Sequence, residues 1–220
     1  MQMATTANYK ELKEKLYSAV IADILDELGI RGNAMDHGIN PLSQDMVLMG
    51  RAFTLLAADV YEVPKEPYKL ELEAVDSTKE GDVIVACTSG SVSSGFWGEL
   101  LSTTSKLRGC EGVVVDGLTR DSKPIIKMGY PVFVRGSSPY DSKGRTDVFA
   151  YQVPVECGGV LVNPGDIIFG DCDGIVVIPK DLEEQVIAKA LEKAKGEDTV
   201  RVELSEGMSA RDVFNKYGIL

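Results

Sequence analysis

The sequence predicts an α/β fold built as one domain over residues 1–220, and three observations point to it. The β-branched run Val113-Val114-Val115 reads as a buried strand, and it ends abruptly at Asp116-Gly117. Val83–Cys87, the small-residue stretch Thr88–Gly95 and the helical segment Trp97–Arg108 follow in strand-loop-helix order, the arrangement that places ligand-binding backbone at strand ends. The second half carries closely spaced strand signals before the chain turns helical. A chain of 220 residues also has the length to bury a substantial core without disulfide or metal staples.

Taken in order, Leu12, Leu16, Val20, Ile21, Ile24, Leu25 and Leu28 recur at helical spacing and stop at Gly29, giving one or two N-terminal helices over about 8–29. Asn33–Ser43 has loop composition, and Val47–Ala57 reads as a strand. Pro64 and Pro67 interrupt the chain before a short helix, Tyr68–Val75, and the turn Lys79–Asp82. A short helix is expected at Lys123–Met128 and a strand at Val132–Arg135. Val148–Val155, Gly159–Val162, Ile167–Phe169 and Ile175–Ile178 read as a meander or sandwich layer separated by Pro-Gly-Asp and Asp-Gly turns. A helical tail over 181–220 contains Asp181 to about Lys195 and then Ser209–Tyr217, which opens with a Ser-x-x-Asp helix start. That last piece is too short to be stable alone, so it docks either on its own domain or on a neighbouring subunit.

Composition excludes several classes of function. With 23 Lys and Arg against 34 Asp and Glu, the net charge of −11 repels a phosphate backbone, so no nucleic-acid partner is expected. Cys87, Cys110, Cys157 and Cys172 form no Cys-x-x-Cys pair and read as buried free thiols. No stretch approaches the roughly 20 apolar residues that cross a bilayer, so a cytoplasmic protein with no membrane partner is expected. His37 is the one histidine and lies in a loop, which leaves little room for Ser-His-Asp, Cys-His or histidine-zinc chemistry.

Two segments carry candidate chemistry. Arg120 and Asp121 follow the Val113 strand by a few residues and present opposite charges together at the sheet's rim. Such a pair is either a solvated salt bridge or a site in which arginine grips a carboxylate while aspartate holds a hard cation. Gly95-Phe96-Trp97-Gly98-Glu99-Leu100-Leu101 places glycines before a helix, where unpaired N–H groups approach an anion closely. Glu99 is either a first-turn glutamate favoured by the helix dipole or a carboxylate that orients a water or moves a proton. Lys106 and Lys123 are rival Schiff-base candidates, and Asp171–Gly174 reads as a hairpin turn in preference to a carboxylate site.

Gly98-Glu99-Leu100-Leu101 and Gly112–Asp121 together resemble the RraA-like family, which includes the metal-dependent pyruvate aldolases acting on 4-hydroxy-4-methyl-2-oxoglutarate and 4-carboxy-4-hydroxy-2-oxoadipate. The likeness continues through Pro154–Val160, Asn163–Asp166, Asp171–Pro179 and Phe214–Gly218. It implies a swivelling β/β/α-type three-layer domain that assembles as a homotrimer or a dimer of trimers. It further implies that Gly98, Glu99, Leu100 and Leu101 cradle a 2-oxo acid substrate, that Arg120 binds its oxygens, and that Asp121 anchors Mg2+ or Mn2+ largely through water. Glu99 stands where the family's aldolases commonly carry aspartate, so its proton-transfer role rests on a side chain one methylene longer. A neighbouring subunit's acid is expected to complete the site, with Glu197 the candidate. The activity implied is cleavage of a 4-hydroxy-2-oxo acid to pyruvate and a second oxo acid, with oxaloacetate decarboxylation through the same enolate. The family's name-giving members instead bind and inhibit a ribonuclease, which makes a non-catalytic regulatory protein the alternative. The retention of Glu99, Arg120 and Asp121 favours the enzyme.

Overall fold

A computed structural model describes residues 6–219. Two helices, α1 (Thr6–Lys15) and α2 (Ser18–Glu27), open the chain, as the apolar spacing predicts. There follow β1 (Asn40–Pro41), β2 (Leu48–Asp59), α3 (Lys69–Ser77), β3 (Asp82–Trp97), α4 (Glu99–Leu107), β4 (Gly112–Thr119), α5 (Ser122–Met128) and β5 (Val132–Ser137). The second half holds β6 (Thr146–Tyr151), β7 (Val155–Cys157), β8 (Val160–Val162), β9 (Ile167–Asp171) and β10 (Gly174–Ile178). A short 3-10 turn, Lys180–Leu182, leads into α6 (Glu183–Ser205) and α7 (Ala210–Tyr217).

Eight strands form the main sheet in the order β1-β5-β4-β3-β2-β9-β10, with β6 pairing on β2. β2, β3, β4 and β5 run parallel, while β6, β9 and β10 add antiparallel strands. Alternation along the strands builds the layers. Phe53, Leu55, Ile84, Ala86, Val113 and Val115 face a core that also contains Ala74 and Val75 of α3 and Ile125 of α5. Met49, Ile167 and Phe169 meet the apolar stripe of α1, α2 and α6. On the opposite face Val83, Val85, Val114, Phe133 and Ile168 pack under the small β7–β8 ribbon through Val155, Cys157, Val160 and Val162. The three layers are therefore ribbon, sheet and helices, the β/β/α arrangement.

Several expectations are corrected. Thr88–Gly95 is not a loop, and the following helix does not begin at Trp97: β3 continues to Trp97, and α4 begins at Glu99. The extension pairs with β4 through successive bulges, and left-handed backbone at Ser89 and Gly90 takes up the slack. Val148–Val155 is two strands, because left-handed Gln152 and the donorless Pro154 break it. The helix expected to end near Lys195 runs to Ser205. Cys172 is exposed, unlike the three buried thiols, because it sits in the two-residue turn of the β9–β10 hairpin. α7 docks on its own chain, where Lys216 Nζ and Tyr217 Oη both donate to Glu203 at 2.7 Å and Val213 is buried. No helix among the described residues is long and apolar enough to cross a membrane.

Candidate active site

The parallel pairing of β3 and β4 builds the site. Trp97 registers against Thr119, so the two chains leave the sheet side by side, one into α4 and the other into α5. Arg120 N and Thr119 Oγ1 each donate to the Trp97 carbonyl at 2.8 Å, while the buried Trp97 indole donates to Ser102 Oγ at 2.8 Å. These bonds bring Gly98-Glu99 beside Arg120-Asp121. Glycine at position 98 lets the two segments meet closely, since a Cβ there would lie 3.1 Å from Asp121 Oδ2 and 3.3 Å from Arg120 Nε and both side chains would have to give way.

Between α3, the start of α4, the turn after β4 and the segment at Asp141-Ser142 lies a cavity of about 290 Å³. Gly98, Leu100, Leu101, Arg120 and Asp121 all line it. Arg120 is half-buried, and its Nη1 pairs with Asp141 Oδ1 at 3.2 Å. The other oxygen of Asp141 accepts from the Tyr68 hydroxyl. Burial, together with that bond, pushes the Tyr68 phenol up to about 12. Asp121 adopts left-handed backbone (φ 58°), which aims its Oδ2 at the first turn of α4, 3.3 Å from Glu99 N and 3.7 Å from Arg120 Nε. It stands in for the cap that Gly98 cannot provide. The N–H groups of Leu100 and Leu101 belong to the same first turn, which has no intrahelical acceptors.

Glu99 does not join that lining: its carboxylate accepts from Thr103 Oγ1, one turn along α4, at 2.8 Å. Glu197 sits on α6 against the Tyr17 hydroxyl and likewise does not line the cavity. Neither does Lys106, which donates to the Met128 carbonyl at 2.6 Å, nor the exposed Lys123. Asp116, in the same motif as Arg120, is buried beneath Arg135 and accepts from Gly158 N at 3.3 Å, so it ties β4 to the ribbon. The Asp171–Gly174 segment is the hairpin turn expected of it: Asp171 accepts from Ser18 N and Oγ at 2.7 Å each, holding the start of α2.

Two acidic cavity residues, Asp141 and Glu71, were not singled out from the sequence. Glu71 projects from α3 and is 4% exposed, and its Oε1 has no hydrogen-bond partner. Burial pushes its carboxyl up to about 8, with Asp147 and Asp141 adding to the rise and Arg120 opposing it. The available signal was positional: Glu71, Ala74 and Val75 form the buried stripe of α3, so a glutamate occupies an apolar-face position.

For a metal, Asp121 offers the cavity a carboxylate oxygen on the exposed side. Among the described residues the three-ligand cluster is Asp171-Cys172-Asp173, which lies in the hairpin. One hard oxygen donor with open space beside it suits a magnesium-type ion that keeps most of its water.

Comparison with known proteins agrees with this architecture. The Aldolase/RraA profile of the RraA-like family matches residues 18–177. A Halalkalibacterium halodurans protein, named provisionally as a 4-hydroxy-4-methyl-2-oxoglutarate aldolase, is 33% identical over 190 residues, covering 86% of this chain and 85% of its own. Protein DlpA of Legionella pneumophila is 32% identical over 204 residues, which cover 91% of this chain but 32% of DlpA, so the chain spans about a third of that relative. Streptomyces coelicolor RraAS2, described as an unusual member of the RNase ES inhibitor RraA family, superposes with a TM-score of 0.79 at 30% identity, covering 91% of this chain and 98% of its own. With a profile match across most of its length and the same fold in a solved relative, the chain belongs to the RraA-like family.

Proposed function

We propose that the protein is a divalent-metal-dependent aldolase that cleaves a 4-hydroxy-2-oxo acid of the 4-hydroxy-4-methyl-2-oxoglutarate type to pyruvate and a second oxo acid. The observation that carries this reading is the convergence of the Arg120 guanidinium, the Asp121 carboxylate and the N-terminus of α4 on one cavity of about 290 Å³. That volume suits a small dicarboxylate. The name of the Halalkalibacterium halodurans relative supports the same reaction class.

In this reading the substrate carboxylate takes Asp141's place on Arg120, exchanging one charge-assisted pair for another, while the N–H groups of Leu100 and Leu101 hold its other oxygens. Asp121 would hold Mg2+ or Mn2+ largely through water. A bound cation supplies positive charge at the keto oxygen, where charge collects as the C3–C4 bond breaks. The C4 hydroxyl gives its proton to a water, with Arg120 stabilising the developing enolate; Glu99 would orient that water only once its carboxylate turns from Thr103 toward the cavity. Oxaloacetate, which loses CO2 to the same enolate, is the expected side substrate. A homotrimer or dimer of trimers in which a neighbouring copy's acid, Glu197, closes the site is part of the proposal.

The test is pyruvate release from 4-hydroxy-4-methyl-2-oxoglutarate and from oxaloacetate by chelator-treated protein, with and without added Mg2+ or Mn2+. Metal-dependent pyruvate from either is the expected result. None from both, with folded protein, would overturn the aldolase and favour the regulatory reading that the likeness to RraAS2 supports.

A further inference from the structure

Cleaving the C3–C4 bond leaves a carbon nucleophile that must be protonated before pyruvate can leave. A carboxylate already ionised at neutral pH has no proton to give. Of the acidic side chains lining the cavity, Asp141 is paired with Arg120 and Tyr68, and Asp121 rests against the first turn of α4 and Arg120. Glu71 differs from both. It is 4% exposed, and its Oε1 is unpartnered.

Burial first, and then the groups facing it, set the charge of Glu71. Asp147 on β6 and Asp141 on the loop after β5 oppose ionisation, and Arg120 favours it. The Tyr68 phenol is tied to Asp141. α4, which also packs on α3, has its Glu99 carboxylate turned to Thr103. Burial does most to favour the neutral acid, and two carboxylates against one arginine that is already engaged by Asp141 add to its effect.

We propose that Glu71 is the acid that returns a proton to C3 of the pyruvate enolate. The inference rests on the aldolase reading. As the C3–C4 bond breaks, its electron pair forms the C2–C3 double bond, the keto oxygen takes up the C2–O π pair, and the C4 hydroxyl proton passes to water. The enolate oxygen then reforms the C2–O double bond, and the C2–C3 π pair takes the proton from Glu71. Glu71 recovers a proton from the water that received the first, so the cycle balances without a further reagent. By microscopic reversibility, ionised Glu71 removes a methyl proton from bound pyruvate.

The test uses the full chain with Mg2+ and pyruvate in D2O, following loss of the methyl proton signal by NMR, alongside steady-state pyruvate release. Glu71→Gln, which copies the shape of the neutral acid, is expected to lose about 10²- to 10⁴-fold in both exchange and kcat, with KM little changed. Wild-type turnover should fall as pH rises through about 8, because the donating form is lost there, and that limb should vanish in the variant. Glu71→Asp, which restores a carboxyl, should recover part of the exchange, an outcome a purely structural glutamate would not give. Exchange and kcat within a few-fold of wild type in E71Q would overturn the proposal. If E71Q does not fold, a wild-type profile with no limb near 8, or a folded E71D without exchange, would do the same. No metal-stimulated exchange or pyruvate release by the wild type would overturn the aldolase reading together with this one, whereas an active wild type with an active E71Q removes Glu71 alone.

Discussion

The stability of Glu71→Gln as a function of pH tests the state of the buried acid without any assumption about catalysis. In the folded chain the carboxyl is raised from 4.5 to about 8, so between those limits the unfolded chain ionises it while the folded chain keeps it neutral. Stability that is fully present below 4.5 is therefore lost as pH rises, and the loss is complete above about 8. At about 1.4 kcal/mol for each tenfold step in acidity, that interval caps the effect near ~5 kcal/mol. Relaxation and water entry bring the expected value to roughly 2–5 kcal/mol. Glutamine has the size of the neutral acid and does not titrate, so E71Q should gain on the wild type steadily across this window. Urea unfolding at a series of pH values reads the effect as a widening gap in midpoint at constant slope. Parallel stability curves for the two proteins across the window would refute the claim that Glu71 is buried and neutral.

Arg120→Ala removes the cation that pairs with Asp141 across 3.2 Å and should lower kcat/KM about 10- to 100-fold through loss of one charge-assisted hydrogen bond; unchanged turnover would remove Arg120 from the reaction. Asp121→Ala should move activation to higher Mg2+ and, by removing the acceptor 3.3 Å from Glu99 N, cost about 1 kcal/mol of stability; an unaltered magnesium titration would place the metal elsewhere. Gly95→Ala places a Cβ 2.6 Å from the Ser138 carbonyl oxygen and 2.9 Å from Arg120 Cβ, so thermal unfolding should show a loss of about 1–3 kcal/mol, and an unchanged melting temperature would contradict the close approach.

The layers were legible in the sequence wherever side-chain period and burial agree. Val113-Val114-Val115 feeds both faces of the sheet, and the stripe from Leu12 to Leu25 covers the sheet's helical side as its spacing predicts. The errors cluster where backbone geometry departs from propensity. Thr88–Gly95 is rich in serine and glycine, which suggests a loop, yet tertiary pairing with β4 holds it as a bulged strand. That extension matters for the site, because it carries Gly95 to within reach of Arg120. Arg120 and Asp121 were legible because both charges follow a buried strand within a few residues. Glu71 was not, since a charge at an apolar position of a short helix shows its burial only after α3 has been placed against β6 and α4.

The energetics of the cavity bear on the choice between enzyme and regulator. A surface that only docks a partner gains nothing from an unpartnered acid beneath it, and a buried polar group without a partner costs about 1–3 kcal/mol. Glu71 incurs that cost while Ala74 and Val75, on the same stripe of α3, pack into the apolar core. Asp121 adds a second cost through its left-handed backbone, and that conformation is what turns its carboxylate toward Arg120 and α4. Folds that violate local rules do so most often at sites of chemistry. Unpartnered buried oxygens also occur at Tyr9 and Glu203 and left-handed backbone at Ser89 and Gln152, so what favours a reaction over a docking face is that both features meet on the one cavity that Arg120 lines.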